Sequence, residues 1–529
     1  MTWVRGVDRH SRYWPDPDDS GRLQEEASKD FDRILYSTAF RRLGGVTQVV
    51  AANELGLFHN RLTHTLKTAQ VGARIANHLV RTYLESEKRP THERRSWSAL
   101  VEENGGLEPR AVRAACMAHD LGHPPFGHIG EDELQIVTSD KNDKTNRRRS
   151  TGEIARHPRV PEYRLYDSFE GNAQSLRIVT KLAFREPYQG ANGHEGVCPA
   201  LNLTRATLTA LMKYPWGCQV RPKGVQSLIR LKKWGYYDCE AEIARWAFGD
   251  KPYPEGRTAV APDGKTSIIE YRTLEAQVMD WADDISYAVH DVEDFFRAGT
   301  IPLDDLVDSD VKWEAFFQYA WRKDHGVGQK LGLDSEAEVR KLLEPIRDQL
   351  FPRKPYTGSR QDRENLHKFA SNLIKRATGG TRLHENGTVI IDMEQRAVIE
   401  ILKQLTWYFV IDRPSLESVQ RGQRYVIRSL FRDLIVWVEE TWDGPRSVAP
   451  TNSGSIVRRR QLPARLLDYL DVAFSEDDAT GCATYSDDAK IARSVVDYIV
   501  SLTEAQALEL CHRLTGRSAR SMMDGWVYG

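Results

Sequence analysis

The sequence is short of cysteine, of long apolar runs and of any excess of one charge. Its six cysteines, Cys116, Cys198, Cys218, Cys239, Cys482 and Cys511, are scattered over 529 residues without a CxxC pair. That spacing offers neither a zinc knuckle nor a disulfide framework, so buried thiols are expected. No apolar run approaches the roughly 20 residues of a membrane span, and MTWVRGVDRHSRYWPDPDDSGR at the start has no apolar signal core. The expectation is a cytoplasmic protein with no membrane partner. Acidic and basic side chains nearly cancel, to a formal charge of −1. This excludes a global field for nucleic acid or an anionic bilayer, although a local run such as KNDKTNRRR leaves room for a patch. Long strand-like alternation is scarce, and no internal repeat or low-complexity tract occurs.

What remains is a globular composition, 40% hydrophobic and 28% charged, long enough for more than one domain or for one with large additions. Helical spacing dominates. Val71, Ile75, Leu79 and Tyr83 recur every four residues, and Ile427, Leu430, Phe431, Leu434 and Val438 keep one helical face apolar. Residues 139–162, 250–266 and 443–460 read as surface loops, and 350–386 as a break between an N-terminal helical body and a C-terminal helical extension. The expected class is all-α in the main, with a core over residues 1–310 and a helical region over 311–529.

The densest chemistry lies in MAHDLGHPPFGHIGE, residues 117–131. A helix is expected over 109–121, ended by Gly122, Pro124 and Pro125, which leaves His119 and Asp120 at its last turn. Imidazole beside carboxylate suits a divalent ion, but two ligands are too few. His64, near the start of a helix with Arg61 one turn earlier, and the stripe Asp283, Tyr287, Asp291 at i, i+4 and i+8 are the candidates to complete the shell.

The ordered set H…HD…D resembles the HD superfamily of metal-dependent phosphohydrolases. In detail it resembles the deoxynucleoside triphosphate triphosphohydrolases of the dGTPase-like branch. The carriers are DRILYSTAFRRLGGVTQV (32–49), HNRLTHTLKTAQVG (59–72), HDLGHPPFGHIGE (119–131), FEGNAQSLRIVTKL (169–182), LMKYPW (211–216), ADDISYAVHDVED (282–294) and DYIVSLTEAQALELCHRLTG (497–516). The resemblance implies metal ligation by His64, His119, Asp120 and Asp283, with one divalent ion per site. Magnesium or manganese is expected first, and iron, cobalt, nickel and zinc are compatible. It implies an acid-base role for His128, supported by Glu131, with His123 as a further active-site group. Arg61, Lys213, Tyr214 and Tyr287 would face the triphosphate, Gln48 and Asp291 the sugar, with Tyr287 crowding its 2′ side, and Asn172 would line the pocket.

The reaction so implied is hydrolysis of a dNTP to deoxynucleoside and inorganic triphosphate, by a homo-oligomer open to a dNTP effector. The Arg- and Lys-rich stretch 339–381 is the candidate effector site. Weak single-stranded DNA binding and a role in antiviral defence are compatible with the family. Two other readings stand beside it: a dNTP-binding sensor without turnover, and another HD-superfamily phosphohydrolase, although no GYP motif of the cyclic-dinucleotide phosphodiesterases is present.

Overall fold

The computed structural model describes residues 8–48, 58–84, 96–139, 163–184, 200–219, 233–251, 253–254, 256–260, 267–322, 326–384, 386–442, 444, 461–475, 482 and 485–517. The architecture is helical, with two antiparallel hairpins, Arg257–Val260 with Ser267–Glu270 and Thr381–Leu383 with Val389–Ile391, as the only sheets among these residues. The principal helices are α1 (Leu23–Leu35), α2 (Arg61–Leu79), α3 (Pro109–Ala118), α4 (Gly127–Thr138), α5 (Gly171–Arg177), α6 (Leu274–Arg297), α7 (Arg360–Gly379), α8 (Met393–Thr406), α9 (Pro414–Thr441), α10 (Asp487–Ser501) and α11 (Glu504–Leu514).

Several of their starts carry the caps that the free N–H groups of a first turn need. Asn60 accepts from Thr63, Thr273 from Ala276 and Ser486 from Ala489, while Thr503 and Gln506 form a reciprocal capping box. The periodic positions are buried as expected: Val71, Ile75 and Leu79 on α2, and Ile427, Leu430, Phe431, Leu434 and Val438 on α9. Helix α2 packs on α3 and α6, and α6 on α8, while α9 covers α4 and meets α10 and α11. The α2–α3 approach depends on Gly72, because a Cβ there would lie 2.6 Å from the Cys116 sulfur. One continuous apolar core runs from Ile34 to Cys511.

Helix α6 positions the site. It is buried along almost its whole length, including Asp291, His290 and Asp294. A helix enclosed on all sides cannot solvate its polar side chains, so those chains must find partners inside the protein.

Several expectations need correction. Helix α3 ends at Ala118, short of 121, so His119 and Asp120 stand in the following turn. There Leu121 N–H and His123 N–H bond back to Ala118 O and Asp120 O, and the Pro124 ring disfavours helical backbone at His123. Residues 250–266, read as loop, include the strand Arg257–Val260. The stretch 350–386 is not an open break. It holds the 20-residue helix α7, whose buried Leu366, Phe369, Ala370, Leu373 and Ala377 were hidden among charged neighbours. Residues 140–162 and nearly all of 443–460, with the basic run KNDKTNRRR, lie outside the described residues. Cys239 and Cys482 form a disulfide with Cα atoms 4.8 Å apart, where free thiols were expected. Their separation of 243 residues has no spacing signature. Cys116 and Cys511 are buried and free, and Cys218 is half-buried.

Beside this disulfide, Arg177 of α5 is fully enclosed, 2.7 Å from Glu240 and 2.8 Å from Asp497 of α10. Removing one partner of such a cluster leaves the other charges buried without compensation. Arg177→Ala is therefore expected to lower folding stability by about 3–5 kcal/mol. The check is a fall in the urea midpoint at unchanged slope; a wild-type midpoint would show that Asp497 and Glu240 do not depend on Arg177.

Candidate active site

Two chain breaks place the first side chains. The turn after α3 turns His119 and Asp120 toward the first two turns of α2 and the middle of α6. His64 Nε2 lies 3.2 Å from Asp283 Oδ1, and His119 Nε2 lies 3.4 Å from both Asp283 Oδ1 and Asp120 Oδ1. One ligand atom each from His64, His119 and Asp120 falls within 4.8 Å of the others, all three residues being buried. His119 Nδ1 donates to Cys116 O at 2.7 Å, which fixes the tautomer and leaves Nε2 facing the carboxylates. That Nε2 has no hydrogen-bond partner among the described residues.

Burial opposes ionisation of Asp120, yet Arg61, His119 and His123 hold its carboxyl well below the usual range. Asp283 is likewise held low, against burial, by His119, His64 and Lys213. Burial disfavours charge on the His119 ring, but Asp120 and Asp283 outweigh it and raise its pKa to about 9. A buried Asp120 and a half-buried Asp283 thus both favour a proton on His119. Two imidazoles and two carboxylates converging in this way form a donor set that fits a borderline or hard divalent ion.

Around this centre the remaining predicted residues fall in separate groups. Arg61 Nη1 bonds Asp120 Oδ2 at 2.7 Å, while its Nε and Nη2 have no partner among the described residues. Lys213 Nζ is 2.5 Å from Asp280 and 3.5 Å from Asp283. His123 Nδ1 is 3.1 Å from Asp120. Burial and the Arg61 charge lower its pKa to about 4, so its ring is neutral.

Beyond the proline pair, the chain turns through left-handed backbone at Phe126 (φ 68°) and Gly127 (φ 57°) into α4. This puts His128 at the second helical residue, with Nδ1 3.2 Å from Glu131 Oε2 and a side chain 62% exposed. Glu131 is buried, and Lys233, His128 and His123 keep it charged against that burial. His123 and His128 meet edge to face, ring centres 5.2 Å apart.

Tyr287 and Asp291 continue down α6 from Asp283 and hydrogen-bond each other. Burial, then the nearby Asp294, raises the Asp291 carboxyl well above its usual range, and its Oδ2 has no partner among the described residues. Tyr214 packs against Trp216. Asn172, on the first turn of α5, gives its amide to Glu170 at 2.8 Å. Gln48 is half-buried, its Oε1 enclosed without a partner among the described residues.

The sequence reading did not single out Lys233, which stands 3.7 Å from Glu131 and 3.5 Å from Glu170. Nor did it single out His59, whose Nδ1 meets Asp294 at 2.7 Å while its ring stacks on His290. Lys233 has no spacing signal. Glu170 and His59 stood inside the quoted blocks, and only their contacts reveal them.

The HD domain family matches residues 61–187, the stretch holding His64, His119 and Asp120. The fold and this centre therefore define an HD-domain protein. A deoxyguanosinetriphosphate triphosphohydrolase-like protein of Streptomyces coelicolor is 33% identical over 527 residues, 96% of each chain. One of Corynebacterium efficiens is 31% identical over 94% of this chain and 92% of its own. A deoxyguanosinetriphosphate triphosphohydrolase-like protein 2 of Mesorhizobium japonicum is 32% identical over 97% and 96%. The chain belongs to the deoxyguanosinetriphosphate triphosphohydrolase-like family, which points to an HD-superfamily hydrolase acting on a nucleotide phosphate. Among the described residues no helix is long and apolar enough to cross a membrane.

The two histidines make stability depend on pH in opposite senses. With chelator present, native His119 keeps a proton up to about pH 9 while the unfolded ring loses it near 6.5. Its contribution is complete below 6.5 and is lost as pH rises through 9. Native His123 refuses a proton down to about pH 4, so from 6.5 toward 4 the unfolded state binds more protons and stability falls with pH. From these two rings, melting temperature in EDTA is expected to peak near pH 6.5. An added divalent cation should raise it more at pH 9 than at 6.5, because His119 must be neutral to ligate. A cation effect independent of pH would contradict the His119 assignment.

Proposed function

We propose that the protein is a metal-dependent dNTP triphosphohydrolase, hydrolysing dGTP or several dNTPs to deoxynucleoside and inorganic triphosphate. The observation that carries this is the pairing of two groups across one proline turn. On one side is a charge-deficient centre of His64, His119, Asp120 and Asp283; on the other is an exposed His128 backed by a buried, ionised Glu131.

A divalent ion held by His64, His119, Asp120 and Asp283 would polarise a phosphate oxygen and support the attacking water. Magnesium and manganese head the expected ions. Arg61, with two guanidinium nitrogens unpartnered among the described residues, and Lys213 bind the triphosphate oxygens. Tyr214 and Asn172 line the same pocket. Water oxygen bonds to the α-phosphorus, the bond from phosphorus to the 5′-oxygen breaks, and His128 delivers the proton that the leaving 5′-oxygen needs. Glu131 orients His128 through Nδ1, and neutral His123 lies between this pair and Asp120.

At the sugar, Gln48 offers its enclosed Oε1 and Asp291 a carboxyl whose raised pKa lets it donate as well as accept. Tyr287, bonded to Asp291, crowds the 2′ side and selects deoxyribose. The proposal includes a homo-oligomer regulated by dNTP, acting in the cytoplasm. In the stretch 339–381, the candidate effector site, Arg340, Lys368 and Arg376 pair with Glu314, Glu364 and Glu394.

The test is product analysis with each dNTP, singly and mixed, in Mg²⁺ or Mn²⁺. Deoxynucleoside with intact triphosphate is expected, and activity confined to mixtures would mark an effector. Monophosphate with pyrophosphate would overturn the bond assigned, and absence of turnover in every mixture would favour a dNTP-binding sensor. His119→Ala and Asp120→Ala are expected to lose bound metal and activity together. His128→Ala should keep its metal while turnover falls by roughly 10²–10⁴-fold; a wild-type rate would remove the acid-base assignment.

A further inference from the structure

The block at 497–516 contributes no group to the reaction above, yet its helix α11 begins against the active-site turn. Glu504, the first residue of α11, accepts from Thr47 N–H at 2.7 Å and from Phe126 N–H at 3.1 Å through Oε1, and from the Thr47 hydroxyl at 2.6 Å through Oε2. Phe126 directly precedes α4, and its own N–H is satisfied by an acceptor 378 residues away. Thr47 adjoins Gln48 and pairs with Asn60, at the start of the helix that carries Arg61 and His64.

The three segments meet too closely to shift independently. A Cβ on Gly127 would lie 2.9 Å from Arg61 Nη2 and 3.4 Å from Thr47 O, and one on Gly45 would lie 2.7 Å from Thr503. Behind them Arg42, from the short helix Thr38–Arg42, donates to Leu121 O and His123 O at 2.8 Å each and to Leu502 O at 3.2 Å. Burial lowers its pKa to about 10, which leaves it charged at neutral pH. The backbone just past Asp120 and just before Gly127 is thus held from the same C-terminal corner, at a residue whose left-handed conformation persists only where its surroundings impose it.

We infer that Glu504 is a positioning residue for the reaction: its carboxylate ties the sugar-side loop at Thr47 to the turn at Phe126, setting His128 relative to the metal ligands. The kinetic part of this inference rests on the triphosphohydrolase reading; the structural part does not. In Glu504→Ala the metal content should be unchanged. Amide hydrogen exchange should quicken at residues 45–48 and 126–128, and kcat should fall by roughly 10–100-fold, as small misplacements of reacting groups do. Glu504→Gln, which keeps an oxygen for the two N–H groups and an amide for the hydroxyl, should recover most of both effects. A role confined to the first turn of α11 would not alter exchange at 126–128. If Glu504→Ala does not fold, Glu504→Asp, too short to reach both segments, takes its place with the same readings. Wild-type exchange in both segments would overturn the inference, as would a wild-type kcat. If the wild-type protein hydrolyses no dNTP, the triphosphohydrolase reading fails and exchange alone decides the positioning role.

Discussion

The structure depends on bringing two carboxylates, a buried Asp120 and a half-buried Asp283, near each other. Neither is tolerable there alone, since a buried ion keeps its charge only with opposite charge and hydrogen bonds around it. Arg61, His119, His64 and Lys213 are therefore drawn in from three separate parts of the chain. Each brings its backbone with it. The long helix α6 is the cause: it carries a half-buried Asp283 to the cluster, and Tyr287 and Asp291, one and two turns farther on, hydrogen-bond each other.

The second level of the structure holds this cluster in register. Ser175 on α5 accepts from Gly122 N–H at 2.9 Å and donates to His119 O at 2.8 Å, so α5 clasps the turn that presents the ligands. That helix is itself anchored by Gln174 and Arg177 to Asp497 of α10. Nearby, Arg493 reaches Asp167 at 2.8 Å with both side chains fully buried. The C-terminal helices thus reach the active-site turn twice, through α5 and through Glu504. Such ionic anchors are poor sources of net stability compared with apolar packing, but a charge has few acceptable partners, which suits them to fixing register.

What was legible in the sequence follows from range. The helix spacing of α2 and α9 and the stripe on α6 are local patterns, and they appear where periodicity puts them. The turn after α3 was legible in kind because glycine and proline act locally, while its start was displaced to Ala118 by bonds among residues 118–123. The family blocks named most of the side chains found near the centre. Lys233, the Cys239–Cys482 bridge and the Glu504 contacts were not legible, because each is a pairing across tens to hundreds of residues with no periodic trace. Helix α7 was obscured for another reason: its apolar stripe is narrow and its exposed face is strongly charged.

The three histidines of one short segment show how far environment divides a single residue type. His119, beside two carboxylates, holds its proton to about pH 9; His123, four residues on, faces Arg61 and is neutral down to about pH 4. His128, across the proline pair, leaves the interior and is exposed toward solvent. The first ring lies between two carboxylates and the second beside a guanidinium, whereas the third is exposed with an ionised Glu131 behind it. Pushing titratable groups apart in this way assigns them different work. The Pro-Pro step sets this arrangement, since in an uninterrupted helix His119 and His128, nine residues apart, would point to opposite faces, whereas the turn brings the His128 ring against that of His123.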